Sequence, residues 1–593
     1  MARKRVPLPL LQLPRRLLLV WLLLLAAGLG MGARLYHLQV VRAPALRQKA
    51  QAQQTTDFNT YVPRRPIVDR RGNTLALDRA TYTLYAHPRY FQRPRAAVAR
   101  ELAAVLDGQS ERALRQRLRS QPSGIRLAEG LSPATAEAIR QRSLAGVELS
   151  KQYARFYPQR QLAAEVLGYV GFKAAGRGQA GVELAYQSRL QRSPSDVQVA
   201  QTRGGQLLPR SLPPGALDSD RRKLQLTLDL RLQRAVDAAL KKQMQAFRAR
   251  RGTVIVIDAS SGAIRALATR PSYNPNRYYR YEVGRFRNWA VSTRLEPGST
   301  LKPINVAIAL DANAIQPDAT VRDPGKIQIG RWEITNYDYD SDGGHGRLSA
   351  TEVLERSSNV GMVKLMQQMA PGQYYRALRE LGIERPVGAD LPGDRGGNLK
   401  PRLAFTSRPI AAATAAFGHG LSLSSLKLAQ LHAALANGGK LVTPHVARGL
   451  VGPNGQLERF SHPAGRRVFK RQTAETVVDM MASVVENGSG QNARIPGYRI
   501  AGKTGTSKQP LLGGGYNETD IATSFVGILP ARETQYVVLA VVDDPQKRPA
   551  YGSTVAAPVV KSVMEALIAN AGIAPGESQL AGDRAPAGTA ALP

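Results

Sequence analysis

From Leu17 to Ala33 the chain carries no charged residue, and this run is preceded by Arg3, Lys4, Arg5, Arg15 and Arg16. An apolar run approaching about 20 residues can cross a bilayer as a helix, because a helix satisfies its own backbone hydrogen bonds there. Leu35, Leu38, Val40 and Val41 extend the pattern beyond Ala33. The basic flank predicts that residues 1–16 stay cytoplasmic and that the rest of the chain lies across the membrane. Ala26-Ala27-Gly28 offers the small residues of a cleaved signal peptide. The apolar extension favours an uncleaved anchor over 17–41 instead. No second run of this kind stands out, so a single-pass topology is expected.

That topology decides how the charge is read. Lys+Arg is 82 against 44 Asp+Glu, a formal net charge of +38. Such a balance suits either a nucleic-acid binder or a protein facing an anionic membrane or cell wall; a genome that favours Arg produces it as well. DNA is not available outside the membrane, and no zinc-finger, P-loop or RNA-recognition signature is present, so no nucleic-acid partner is expected. The chain has no cysteine, which excludes disulfides, thiolate metal sites and a Cys nucleophile. Its 593 residues correspond to about four domains' worth of chain.

Residues 42–218 are rich in Arg and Gln. They mix short strand-like runs such as Thr81–Tyr85 with helical patches such as Ala96 to Leu106. They hold no catalytic cluster, so an elongated interaction module is expected, ending in the linker-like stretch Ser211 to Asp220. A long α/β pattern fills 219–571. Leu224 to Leu228 predicts a strand and Leu232 to Phe247 an amphipathic helix. Thr253–Ile257, the turn Ala259–Gly262 and Ala263–Ala268 predict a hairpin. The Ala-, Pro- and Gly-rich stretch 572–593 predicts a disordered tail.

The chemistry is expected in the second part. In Glu296-Pro297-Gly298-Ser299-Thr300-Leu301-Lys302-Pro303, the proline belongs to the first turn of a helix, which places the helix start near Ser299. Unpaired N–H groups there favour developing negative charge. Lys302 lies one turn on. A lysine that loses solvation drops in pKa and becomes a workable base for a serine hydroxyl. Ser-x-x-Lys alone is weak, since any such serine can simply cap a helix. A second copy, Ser424-Ser425-Leu426-Lys427, reads as such a cap on a helix that is part surface, part core. Two further motifs add weight. Ser357-Ser358-Asn359 sits between the helices Ala350–Leu354 and Val360–Met369, with Ser357 and Asn359 able to face one cleft. Ser272-Tyr273-Asn274 has the same pattern but reads as a loop. Lys503-Thr504-Gly505 reads as the end of a strand whose glycines permit close backbone approach. The plainer reading of Lys503 is a solvated strand-end lysine.

These three motifs, in this order, resemble the signature of the penicillin-recognising serine acyltransferases. Longer segments make the chain similar to the class B penicillin-binding proteins, and among them to the division-specific transpeptidases. They include Arg64–Gly72 (with Arg65 where the family has glycine), Arg155–Pro158, Gly178–Glu183, Arg270–Pro275, Phe417–Gly420 and Tyr551 to Pro558. The resemblance implies a mixed α/β (α+β) chain: a transmembrane helix, a non-catalytic module of the pedestal or dimerisation type, and a transferase domain with an antiparallel sheet packed with helices. It implies that Ser299 attacks the carbonyl between the terminal D-alanines of a peptidoglycan stem peptide and that Lys302 accepts its proton. Ser357 would relay a proton to the leaving D-alanine, and Asn359 would position the substrate amide. Lys503 and Thr504 would hold the Ser357 network and the substrate carboxylate. Gly505 and Thr506 would complete the substrate edge, the N–H groups of Ser299 and Thr506 forming an oxyanion hole. β-Lactams would acylate Ser299 by the same route. No cofactor or metal is implied. The implied partners are the inner membrane, a glycan polymerase of the FtsW type and other division proteins, with the catalytic domain extracytoplasmic at the septum.

Three other readings compete. A D,D-carboxypeptidase or β-lactamase-like hydrolase would need a water-activating group, and no Glu-x-x-Leu-Asn is present. A non-catalytic division scaffold would not need all three motifs. A bifunctional class A protein would need a glycosyltransferase motif before Asp218, and none is seen.

Overall fold

The structure is a computed structural model that describes residues 15–57, 63–171, 176–192, 198–200, 220–510, 516–531, 533 and 536–575. Residues 1–14, most of the expected linker and the tail from 576 onward lie outside the described residues. The chain divides into two compact units, 1–62 with 193–220, and 63–192 with 221–593.

In the first unit, a helix spans Arg15–Tyr36. Arg16–Val41, 26 residues, is long and apolar enough to cross a membrane, and its most apolar window is not buried at all. Leu17–Leu25 all face outward. Burial in lipid is the physical reason for such a helix to stay wholly apolar. A helix Ala43–Gln54 follows, and the strand Thr55–Asp57 pairs antiparallel with Gln198–Ala200.

Among the described residues the second unit holds two large sheets and four two-stranded ones. The five-stranded sheet runs in the order Ala501–Pro510, Tyr516–Leu529, Tyr536–Asp543, Arg251–Asp258, Ile264–Arg270, every pair antiparallel. The expected hairpin is its last pair. Successive side chains of a strand point to opposite faces, so a strand buried on both sides must be apolar throughout. Val254 and Val256 join one core with Leu232, Val236 and Leu240 of the helix Leu230–Phe247 and Val560 and Met564 of the helix Ala557–Ala571. Ile255 and Ile257 face the other core, with Leu428 and Leu431 of the helix Ser425–Ala436.

The helix near the C-terminus is apolar as well. Gly552–Ala571 is also long and apolar enough for a membrane span, but half of it is buried. Val559, Val560, Val563, Met564 and Leu567 supply that contact, so its hydrophobicity serves the core.

Among the described residues the second sheet has seven strands and crosses the expected linker. Ile67–Val68 pairs parallel with Lys223–Leu226 and antiparallel with Thr74–Ala86. The strand Thr74–Ala86 then carries Ile125–Leu131 and Val147–Phe156. Ile67, Leu75, Val166 and Val182 share one core with Leu224 and Leu226. Beside that core lies a buried charge cluster. Glu183 accepts from Arg155 Nε at 2.6 Å and Arg64 Nη2 at 2.9 Å, and Asp78 accepts from Arg155 Nη1 at 3.0 Å. Burial opposes a charged Arg155, but Glu183 and Asp78 outweigh it and raise the guanidinium pKa. Arg65 donates its backbone N–H to Leu190 O at 2.9 Å.

Breaking a buried pair strands its partner charge. Glu183→Ala is expected to cost about 3–5 kcal/mol of stability, read as a lower denaturant midpoint of the detergent-solubilised protein.

Candidate active site

Ser299 sits on a turn that two glycines allow. Gly298 has φ +55°, and its N–H donates to Gly418 O at 3.1 Å. A Cβ at Gly418, itself at φ +83°, would stand 2.1 Å from Gly298 O. No other residue fits that approach. The expected helix start is refined here. Gly298–Leu301 forms one 3-10 turn, and the α-helix runs Lys302–Asp311 with Pro303 in its first turn. Ser299 is partly exposed, while Gly298, Thr300 and Leu301 on either side are buried.

Lys302 is fully buried at the start of that helix. Its Nζ lies 2.9 Å from Asn359 Oδ1 and 3.4 Å from Ser357 Oγ, and it also donates to Ser357 O. Burial, and then the nearby Lys503, hold its pKa well below the usual lysine value. A neutral amine with a free lone pair can accept a proton, as a base must.

Ser357 is held in the left-handed region at φ +58°. That conformation costs a non-glycine residue about 1–3 kcal/mol and persists only where its surroundings demand it. Here it places Ser357 Oγ between two lysines, with Lys503 Nζ at 2.9 Å. The helix Asn359–Met366 starts immediately afterwards, and its first N–H groups need partners. Asn336 Oδ1 accepts from the N–H of Asn359 at 2.9 Å and of Val360 at 3.1 Å. Ser358 Oγ accepts from Gly361 N at 2.7 Å and donates to Asp323 Oδ2 at 2.6 Å. Asn336 Nδ2 also donates to Asp323 Oδ2, at 2.8 Å. Asn359 Nδ2 donates to Thr335 O at 3.1 Å, which aims Oδ1 at Lys302.

Lys503 lies within the strand Ala501–Pro510, not at a solvated end, and is fully buried. Burial lowers its pKa to about 7. Its Nζ also reaches Thr504 Oγ1 at 3.2 Å, and Thr504 Oγ1 is 3.0 Å from Ser489 Oγ. Gly505 is required by contact. A Cβ there would stand 2.5 Å from Ser524 Oγ and 2.9 Å from Thr300 Cγ2, so the strand lies directly against the Ser299 turn. Thr506 is exposed, and its Oγ1 accepts from Gly552 N at 3.2 Å.

The structure thus joins Lys302, Ser357, Asn359, Lys503 and Thr504 in one hydrogen-bonded cluster beside the Ser299 turn, with Gly505 packed on that turn and Thr506 on the exposed edge. It leaves both decoys out. Ser424 Oγ accepts from Lys427 N at 3.1 Å as a helix cap, and Asn274 caps the next turn through Asn276 N at 3.0 Å. The Ser425–Ala436 helix is buried along its whole length, not part surface as expected. Several residues escaped sequence reasoning: Asp323, Asn336, Ser358, Ser489 and His432. The buried His432 Nε2 lies 2.8 Å from Thr300 O in the Ser299 turn, and burial lowers its pKa to about 4, which keeps it a neutral donor. Asp323, Asn336, Ser489 and His432 carry no local signal, because each acts on a segment distant in sequence, whereas Ser358 lay inside the Ser357–Asn359 motif as a helix cap.

A serine on a glycine-clamped turn with buried, depressed-pKa lysines defines a serine acyltransferase site of the penicillin-recognising kind. The profile of the penicillin-binding protein transpeptidase domain matches residues 252–565, and that of the penicillin-binding protein dimerisation domain matches 59–213. A peptidoglycan D,D-transpeptidase FtsI homolog of Mesostigma viride is 40% identical, over 93% of this chain and 95% of its own. The probable peptidoglycan D,D-transpeptidase PenA of Neisseria meningitidis is 31% identical, over 92% and 91%. Penicillin-binding protein 3 of Mycobacterium tuberculosis, solved with aztreonam, is 25% identical with a TM-score of 0.64, over 86% of this chain and 97% of its own. The chain belongs to the class B penicillin-binding proteins of the FtsI type.

Two outcomes test the geometry. Ser424→Ala is expected to lower stability by about 1 kcal/mol, as a lost cap does, without changing penicillin labelling. Lys503 yields a pH signature. From its folded pKa of about 7 up to the ordinary 10.5, the unfolded chain binds more protons, so stability rises with pH across that window. Relative to Lys503→Met, denaturant midpoints of the unaltered protein should climb through this range by about 1.4 kcal/mol per pH unit.

Proposed function

We propose that this chain is a peptidoglycan D,D-transpeptidase that works through an acyl-enzyme on Ser299. The observation that carries the reading is Ser357 Oγ between two buried amines, 3.4 Å from Lys302 Nζ and 2.9 Å from Lys503 Nζ. Ser299 Oγ attacks the carbonyl carbon joining the two terminal D-alanines of a donor stem peptide. Lys302, with its lowered pKa, accepts the hydroxyl proton. The N–H groups of Ser299 and Thr506 receive the developing oxyanion, where fixed dipoles cost no reorganisation. Collapse breaks the C–N bond, and the departing D-alanine amine takes a proton relayed through Ser357. An amine from a neighbouring stem peptide then attacks the ester and releases Ser299. Asn359 orients the substrate amide, and Lys503, Thr504 and Thr506 hold its terminal carboxylate. β-Lactams enter by the same first step and remain as the ester.

The apolar helix supports a single-pass anchor in the cytoplasmic membrane with the catalytic part outside. The FtsI-type relationship supports action at the division septum beside a glycan polymerase of the FtsW type. Ser299→Ala is expected to abolish labelling by a fluorescent penicillin, and crosslinking with it, while leaving the unfolding midpoint near that of the unaltered chain. Labelling that persists in the variant would exclude Ser299 as the nucleophile.

A further inference from the structure

The second Ser-x-x-Lys copy ends on a lysine that the catalytic cluster does not use. Lys427 lies in the first turn of the helix Ser425–Ala436 and is 4% exposed. Its backbone N–H donates to Ser424 Oγ, but its Nζ makes no hydrogen bond and no ion pair among the described residues. Buried polar groups are almost always paired, so a lone amine points to a missing partner. Its surroundings oppose a cation. A helix start is the positive end of the macrodipole. Burial strips the ammonium of water, and Arg466 and Arg385 add like charge, so its pKa falls to about 8. Asp394 acts in the opposite sense without closing an ion pair, and its Oδ2 accepts from Gly388 N at 2.7 Å. Glu384 is engaged by Arg379 at 3.4 Å.

A gap beside Gly382 brings the three basic side chains together. Gly382 has φ +73°, and a Cβ there would stand 3.7 Å from Lys427 Nζ and 3.9 Å from Arg385 Cδ. Arg466 reaches the same turn by donating from Nη2 to Glu380 O. Arg385 and Arg466 are both exposed, so the cations meet at the surface. We propose that the Gly382 turn binds a phosphate group through Lys427, Arg385 and Arg466. These cations outnumber the Asp394 carboxylate by a surplus that a dianion cancels and a carboxylate does not. Guanidinium forks match phosphate oxygens in pairs, and an ammonium serves as a point charge. The anion supplies the acceptor that Lys427 lacks. Opposite charge favours the protonated amine, so binding near pH 8 draws a proton from solvent.

The test is calorimetric titration of the full-length protein in detergent with inorganic phosphate near pH 8, against potassium chloride at matched ionic strength. It is repeated in buffers of different ionisation enthalpy. The expected result is saturable binding of phosphate with net proton uptake. Arg385→Gln, at an exposed position, should weaken binding by about tenfold or more, as loss of a charged hydrogen-bond partner does. Lys427→Met should abolish the proton uptake. Asp394→Asn keeps an acceptor for Gly388 N but removes a like charge, so it should bind phosphate more tightly. Penicillin labelling should be unchanged in all three variants. Dihexanoyl phosphatidate separates two sources of the phosphate. Tighter binding than inorganic phosphate points to a lipid headgroup, and equal or weaker binding points to the free ion. The proposal fails if phosphate binds no better than chloride, if Arg385→Gln binds as well as the unaltered chain, or if Asp394→Asn binds no more tightly, which would leave Asp394 as the partner of the amine.

Discussion

Two lysine amines buried within reach of one serine hydroxyl are the constraint on which the site depends. Lys302 and Lys503 are both fully buried, and each approaches Ser357 Oγ. Two full positive charges in that space would repel each other strongly, because little solvent screens them. The pair is compatible with folding only if the amines give up protons readily, and their lowered pKa values express that. The same property that makes them costly as cations makes them useful as proton acceptors. Burial is therefore what turns two ordinary lysines into chemical groups.

The surrounding fold holds three separate segments to that point. Gly298, Gly418 and Gly505 let backbone approach backbone where a Cβ would collide. Asn336 and Asp323 hold the start of the helix that presents Asn359, directly after Ser357 in its left-handed conformation. His432 reaches the Ser299 turn from a helix buried end to end. Each support comes from an element anchored in a large core, so the reactive groups rest on rigid structure.

Much was legible in local pattern. The β-branched run Thr253–Ile257 specified a strand of a hairpin, and Pro303 marked the first turn of the Ser299 helix. Ser424 was separable from Ser299 because it lacked the Pro-Gly turn before it. Long-range packing was less legible. Gly552–Ala571 is long and apolar enough for a membrane span although half of it is buried, because protein interior and lipid select similar side chains. The linker-like stretch 211–220 lies between segments that one seven-stranded sheet joins, since strand pairing links residues far apart in sequence.

The sequence alone therefore determined the apolar N-terminal helix, the element types, the order of the three motifs and the family they resemble, all of which depend on residues near one another in the chain. Tertiary structure decided which atoms meet. It set the burial that lowers both lysine pKa values, the left-handed turn at Ser357, and the Asp323–Asn336 support. The reason is physical: burial and desolvation belong to the folded environment, and no residue carries them in its own identity.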